Sequence, residues 1–199
     1  MEKIKLTKNE QKKQKDQLKR FQRYLPTLLL KKQLLQMEIR QVEGQIAQKQ
    51  RGREQALEDL YCWVDVFAEG IDLAPLVQVE EVRRETVNIA GLDVPVFKGL
   101  RFEDIAYDLM EYPLWVDAGV QKLKELAAFD VELSILKRQA ELLEAELRTT
   151  SQRVNLFEKV KIPETKENIR VINIFLGDQQ TAAVVRGKIS KSKLVRGTG

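Results

Sequence analysis

Hydrophobic residues in the first third of the chain recur at alternating spacings of three and four residues. Counted from Leu18, fifteen successive a and d positions hold twelve apolar side chains. These positions are Leu18, Phe21, Leu25, Leu28, Lys32, Leu35, Ile39, Val42, Ile46, Lys49, Arg53, Ala56, Leu60, Trp63 and Phe67. A period of 3.5 kept over this length predicts a left-handed coiled coil. Thr7 with Glu10 predicts a capped start and Gly70 a stop, giving a helix over residues 5–68 of about 95 Å.

A second long segment repeats the pattern from near Pro113, a residue that suits the first turn of a helix. Nine of its ten seam positions are apolar. They are Leu126, Phe129, Leu133, Leu136, Ala140, Leu143, Leu147, Thr150, Val154 and Phe157. The pattern shifts near Ile162 and Pro163 and then resumes, with Gly177 as a candidate end of the apolar seam. This helix is also predicted to approach about 95 Å.

Two helices of matched length, each with one apolar stripe, are expected to fold back and bury those stripes against each other. In an antiparallel pairing, the numbers of facing residues should add up to about 182, by the 1.5 Å rise that both helices share. Pro26 and Pro163 then lie within about two turns of each other. Because each proline removes a backbone hydrogen bond, we predict a bend at that level.

The residues between the two helices have a different pattern, because β-branched runs flank a turn at Ala90-Gly91. The stretch from Glu85 to Phe97 therefore predicts a β-hairpin. Pro95 has no N–H to give to a ladder, so its strand should be an edge or end early. An isolated hairpin is marginal in water, so this one should lean on a helix or on a partner protein.

The predicted fold class is all-α dominated: a long antiparallel two-helix left-handed coiled coil with a small inserted β-hairpin and a short helix. Residues 1–70 and 113–185 form the coiled-coil shaft, and residues 71–112 form the insert. Residues 186–199 are expected to be a basic, flexible tail.

Composition removes most enzyme classes. The chain has no histidine, one cysteine (Cys62) and no G-x-x-x-x-G-K-[ST] phosphate loop. It therefore lacks the usual general base, a Cys-His pair and the common means of binding ATP. Carboxylate pairs such as Glu80-Glu81 do not gather the oxygen ligands that a cation needs. We expect no catalytic residue, no cofactor and no metal, and we expect Cys62 to be a structural thiol.

The net charge of +4 is unevenly distributed. Residues 1–20 carry eight Lys or Arg and three acids, while residues 180–199 carry five Lys or Arg and no acid. Antiparallel pairing brings these basic ends together, where they repel unless an acidic surface neutralises them. Nucleic acid is not expected as the partner, because no binding motif is present and the aromatic residues lie on the helical seam. No apolar run is long enough to span a membrane, and the first residues lack the apolar core of a signal peptide.

Three stretches of the chain carry distinctive motifs. One is the opening Leu6-Thr7-Lys8-Asn9-Glu10, and a second is the hairpin. The hairpin motif comprises Asn88, Ile89, Ala90, Gly91, Leu92, Asp93, Val94, Pro95, Val96 and Phe97. The third runs from Arg153, Val154 and Asn155 to Ile162 and Pro163. Together the three stretches resemble the central-shaft D subunit of V/A-type rotary ATPases, whose pattern at the third stretch is R-V-N-A-L-E-x-x-x-I-P. The sequence departs from the family pattern at Tyr24–Lys32 and after Gly177.

This resemblance implies a non-catalytic axle, on the cytoplasmic side and peripheral to the membrane. Such an axle turns inside a ring of catalytic A and nucleotide-binding B subunits. It pairs with an F subunit and stands on a funnel-shaped central-stalk subunit of the C/d type, so it meets the membrane only indirectly. It couples proton or sodium flow to ATP synthesis or hydrolysis, and its hairpin is associated with modulating hydrolysis.

Two other interpretations remain open on the sequence alone. A prefoldin-like or tethering coiled coil also joins two helices through β-hairpin structure, and it would assemble into a jellyfish-shaped oligomer. A nucleic-acid-binding coiled coil would bind duplex in a salt-sensitive manner.

Overall fold

A computed structural model of the chain describes residues 4–61, 73–106 and 112–197. The chain divides into two compact units. Unit 1 comprises Met1–Lys31 and Thr150–Gly199, and unit 2 comprises Lys32–Thr149. The predictions for Cys62, Trp63, Phe67 and Gly70 fall outside the described residues.

Helix α1 spans Lys8–Tyr61. Thr7 caps it as predicted, because the Thr7 hydroxyl accepts a hydrogen bond from the Glu10 N–H at 3.2 Å. The reciprocal half of the predicted capping box is replaced by another contact: the Glu10 carboxylate accepts a hydrogen bond from the Gln14 amide at 2.9 Å.

The second helical region begins three residues later than Pro113. Helix α2 spans Val116–Asn155, a π turn spans Leu156–Lys161, and helix α3 spans Ile162–Gly197. Pro113 lies in the preceding turn, where its carbonyl accepts a hydrogen bond from the Val116 N–H at 3.0 Å. Helix α3 includes residues 186–197, the part of the predicted tail that the structure describes.

The insert carries a two-stranded antiparallel sheet, with β1 at Val79–Ile89 and β2 at Leu92–Phe102. The strands extend beyond both ends of the predicted hairpin, and the ladder shifts register between Val79 and Glu81 and between Arg83 and Arg84. Strand β2 continues through Pro95, which faces Thr86. Counted from the two-residue turn, this is a non-hydrogen-bonded pair, so the missing N–H breaks no ladder bond.

Unit 2 contains two apolar clusters. The first joins α1, α2 and the tip of the hairpin. Its buried members are Leu35, Ile39, Val42, Val94, Leu136, Ala140 and Leu143. The second cluster joins the 3-10 turn at Ala74–Leu76 to the start of α2. Its buried members are Leu73, Leu76, Val116 and Val120. The insert is therefore attached to the helices by apolar packing at both its tip and its base.

Unit 1 pairs the first part of α1 with the last residues of α2, the π turn and α3. Its buried side chains are few and half of them are polar: Thr150, Val154, Thr165 and Ile172. The described chain is thus dominated by long helices that pair antiparallel within each unit, as the seven-residue repeat predicts.

Candidate functional site

The candidate site of this protein is a set of helix faces. All nineteen apolar seam positions predicted above that lie in the described residues are shielded from solvent to some degree. Those that are buried are Leu35, Ile39, Val42, Ala56, Leu126, Leu133, Leu136, Ala140, Leu143 and Val154. Those that are half-buried are Leu18, Phe21, Leu25, Leu28, Ile46, Leu60, Phe129, Leu147 and Phe157. The heptad positions therefore face inwards in both units, and other residues supply the solvent-exposed surface.

Two of the polar residues on the predicted seam make ion pairs across the helices of unit 2. The Lys49 ammonium lies 2.8 Å from the Glu132 carboxylate, and the Arg53 guanidinium lies 2.6 Å from Asp130. The hydrogen bond to Asp130, followed by the coulombic attraction of the same carboxylate, raises the pKa of Arg53. Asp130 and Glu132 were not singled out from sequence. The facing-number rule of about 182 would have found them, because both lie within one residue of the position it assigns.

A glycine sits between these two ion pairs and allows close contact. A side chain at Gly52 would place its Cβ 3.2 Å from two carbons of the Phe129 ring. The Lys49 ammonium also lies over that ring, 5.9 Å from its centroid. The contact among Lys49, Gly52 and Phe129 fixes how far one helix can slide along the other in unit 2.

Amide and aromatic contacts align the helices of unit 1. The Gln11 amide donates to the Asn173 side chain, and the Asn168 amide donates to Gln14 at 3.5 Å. Phe21 and Phe157 stack with their ring centroids 5.2 Å apart. In both units the numbers of facing residues therefore add up to about 182, which is the antiparallel pairing that the matched lengths predict.

The hairpin motif forms a tight turn whose tip packs on the helices of unit 2. Ala90 and Gly91 have φ angles of 53° and 81°, the left-handed values that a two-residue hairpin turn of type I′ requires. The Asn88 side chain accepts the Gly91 N–H at 3.1 Å and donates to Asp93 at 2.6 Å. Val94 is fully buried in the first apolar cluster, and Ile89, Ala90 and Leu92 pack against it. Pro95, Val96 and Phe97 are half-buried.

The third of the stretches that carry the family resemblance, from Arg153 to Pro163, lies in unit 1 and includes the π turn. Val154 is buried at its start, whereas the side chains of Arg153 and Asn155 are exposed. At its end Ile162 is half-buried and Pro163 is exposed. The motif therefore contributes one buried contact and several surface side chains around an interruption of the helix.

The basic ends of the chain are both in unit 1. Exposed basic side chains cover the start of α1 and the end of α3: Lys8, Lys12, Lys13, Lys15, Lys19, Arg20, Arg186, Lys188, Lys191 and Lys193. Every residue from Gly177 to Lys193 is exposed, including Val184, Val185 and Ile189. By the pairing rule, Gly177 and Asp178 face residues 5 and 4, and residues 179–193 face no described residue.

The described residues contain no cluster of three or more potential metal ligands. In the same part of the chain, no helix is sufficiently long and apolar to cross a membrane. The long helices and the two-stranded sheet define the class: a protein dominated by long antiparallel helix pairs that carries a small β-hairpin.

Comparison with known proteins identifies the family. The sequence profile of the family described as the ATP synthase D subunit matches residues 10–192. The V-type ATP synthase D subunit of Borreliella burgdorferi is 54% identical over 196 residues, covering 98% of this chain and 97% of that protein. Those of Chlamydia abortus and Chlamydia felis are 35% and 36% identical over 194 residues, covering 96% of this chain and 93% of each relative.

The chain belongs to the D-subunit family of V-type ATP synthases. It is one component of such a complex and works together with other subunits.

Proposed function

We propose that this chain is the non-catalytic central axle of a V-type ATP synthase, transmitting torque between an ion-translocating membrane ring and a catalytic ring. The observation that carries the proposal is the family match across residues 10–192, together with a constant antiparallel pairing in both units. A rotating shaft needs two helices that keep their register under load. Ion pairs, a close glycine contact and aromatic stacking support that property.

The partners proposed for the axle are the F subunit, the ring of A and B subunits and the funnel-shaped C/d-type subunit. Proton or sodium flow would drive the rotation, and the axle would work at the cytoplasmic face. An axle biases each surrounding site only by contacting its conformations differently, so it needs no active site. The described residues support a role in which the axle contacts the catalytic subunits and those subunits carry out the chemistry, since the features that stand out in it are contact surfaces.

The end of α3 is the part that we propose enters the A/B ring. Between Gly177 and Lys193 its apolar side chains are exposed and its charged side chains after Asp178 are all basic. Such a surface would complement an opening in the A/B ring that is lined by apolar side chains at its centre and by acidic side chains at its rim. The hairpin is the part that we propose modulates hydrolysis, because it is fastened to the helices through Val94 while most of β1 stays exposed.

Co-expression with candidate A, B and F subunits tests the axle proposal. Size-exclusion chromatography should recover this chain in a complex with the F partner and with an A/B ring that hydrolyses ATP. The proposal is abandoned if neither pairing with the F partner nor ring assembly is observed with a chain whose circular dichroism shows folded helices.

Charge reversal tests the ring-entering end. Changing Lys188, Lys191 and Lys193 together to Glu should slow association with the A/B ring at least tenfold at low salt, because favourable steering becomes repulsion. A matched control reverses the exposed Lys137 in unit 2 and should leave that rate unchanged. Equal slowing in both variants would contradict the assignment of this end.

A further inference from the structure

One place in unit 1 departs from regular helix: the π turn at Leu156–Lys161. The residues on either side, Asn155 and Ile162, have ordinary α-helical φ and ψ angles. The Ile162 N–H donates to the carbonyl of Phe157, five residues earlier instead of four. One extra residue is therefore accommodated in this turn, and the regular helix resumes immediately after it.

Pro163 gives a physical reason for the extra residue. In a regular α-helix its ring would press on the carbonyl of Lys159, and its missing N–H would leave that carbonyl without its usual donor. A wider turn moves the carbonyl away from the ring. The Thr165 hydroxyl also donates to the Lys161 carbonyl at 2.6 Å, a contact that bends helices slightly.

The opposite helix is interrupted at the same level. Pro26 lies inside α1, and the neighbouring Thr27 hydroxyl donates to the carbonyl of Tyr24 at 2.7 Å. The stack of Phe21 on Phe157 ties this part of α1 to the π turn. Both helices of unit 1 thus lose backbone hydrogen bonding where they face each other.

Side-chain packing is sparse at this level too. No residue of the π turn is buried, and Leu156 and Val160 are exposed. Between the buried Val154 and the buried Thr165 no side chain is fully shielded from solvent. Few buried apolar contacts and interrupted backbone bonding are the properties of a segment that opens at low free energy.

We infer that Leu156–Pro163, facing Phe21 and Pro26, is a compliant joint: the segment of unit 1 that takes up twist by winding and unwinding the π turn. The stack of Phe157 on Phe21 keeps the two helices aligned at the joint while the backbone of the π turn winds and unwinds. Use of this joint to store torque rests on the proposed axle function, whereas its low local stability does not.

Amide hydrogen exchange on the full-length chain tests the joint directly. Amides of residues 157–162 and 164–166 should exchange at least tenfold faster than those of residues 151–155 and 168–175, and Pro163→Ala should slow them by about tenfold. The reason is that alanine restores the missing N–H and is the best helix former. The inference is overturned if wild-type exchange is uniform across residues 151–175 or if Pro163→Ala leaves it unchanged.

Gly177→Ala is the matched control, because it raises helix propensity in the same helix at a position where a Cβ meets nothing within 4 Å. It should slow exchange near residue 177 and leave the π turn unaffected. If Gly177→Ala slows amide exchange at the π turn as much as Pro163→Ala does, both changes act by raising helix stability generally, and the joint is refuted.

Single-molecule rotation of the assembled complex distinguishes the existence of a compliant joint from its proposed use in storing torque. Pro163→Ala should at least double the torsional stiffness of the rotor, and Gly177→Ala should not change it. Fast exchange at the π turn without any complex assembly would refute the axle and leave the joint standing. Unchanged stiffness in an assembled, rotating complex would refute the joint's role while leaving the axle in place.

Discussion

The two units use the same antiparallel helix pairing but stabilise it differently. In unit 2, buried aliphatic side chains such as Leu35 and Leu143 interdigitate, and the hairpin covers them through Val94. In unit 1, the buried set contains two threonines among its four members, and the alignment relies on an aromatic stack and on amide hydrogen bonds.

This difference separates two requirements that a long helix pair has to satisfy. Aliphatic packing gives stability, because it removes apolar area from water, and tight interdigitation resists distortion. Sparse packing with polar and aromatic contacts keeps the register while allowing the backbone to move. We therefore expect substitutions in unit 2 to change mainly stability and those in unit 1 to change mainly local dynamics.

The largest effect is expected for Leu143→Asp. It places an unpaired carboxylate at a fully buried seam position and should lower the free energy of unfolding by roughly 4 kcal/mol, measured by urea unfolding followed by circular dichroism. Ala145→Asp puts the same charge at an exposed position and should cost about 1 kcal/mol or less. An unchanged melting temperature for Leu143→Asp would mean that the heptad register is wrong.

Truncation at one fully buried aliphatic position in each unit compares the units directly. Leu143→Ala should cost about 4 kcal/mol and Ile172→Ala about 2 kcal/mol, because thinner surroundings relax more easily into the space left behind. Ile174→Ala, at a position 51% exposed in the same helix, should stay within about 0.5 kcal/mol of wild type. Equal costs at Leu143 and Ile172 in urea unfolding would remove the contrast between the units.

The hairpin contact is tested by a cross-strand pair. Val94 is fully buried and its cross-strand partner Val87, on the same face of the sheet, is 37% exposed, so the same change compares a buried with an exposed member of one pair. Val94→Ala should cost about 2 kcal/mol and Val87→Ala about 0.5 kcal/mol in thermal unfolding. If the two variants are equally stable, the hairpin is merely appended to the helices.

The smallest effect is expected for Arg170→Gln in unit 1. The hydrogen bond from Arg170 lowers the pKa of Glu167, so its stabilising contribution is present above the ordinary carboxyl pKa and is lost as the pH falls through the lowered value. The substitution should return the Glu167 pKa towards its ordinary value in an NMR titration. Because the pair is exposed, the melting temperature at neutral pH should not change measurably. A clear drop would show that surface charge contributes more to unit 1 than we infer.

Much of the helical part of the fold follows from the sequence, because a sustained 3.5-residue period on two helices of matched length favours an antiparallel pair. Polar residues at seam positions, such as Lys49 and Arg53, look like defects in that period. They are explained only when the facing carboxylates of Glu132 and Asp130 are considered. The division into a shaft at 1–70 and 113–185, an insert and a tail from 186 stays a prediction.

The parts that sequence reasoning missed depend on contacts between distant residues. Pro163 marked an interruption, but whether it yields a bend or a π turn depends on neighbours such as Phe21 and Thr165. The strands extend beyond the apolar run because cross-strand ion pairs, such as Lys98 with Glu85 at 2.6 Å, support their charged portion. The helical continuation to Gly197 carries no apolar period by which it could be recognised.

Gly52 has a consequence for how such a helix pair finds its alignment during folding. A heptad seam is nearly periodic, so sliding by seven residues exchanges one set of leucines for another at small cost. A glycine facing Phe129 breaks that degeneracy, since a slip in either direction brings a larger side chain against the ring. The position adds little binding energy, yet it disfavours pairings of the two helices that are shifted by one heptad.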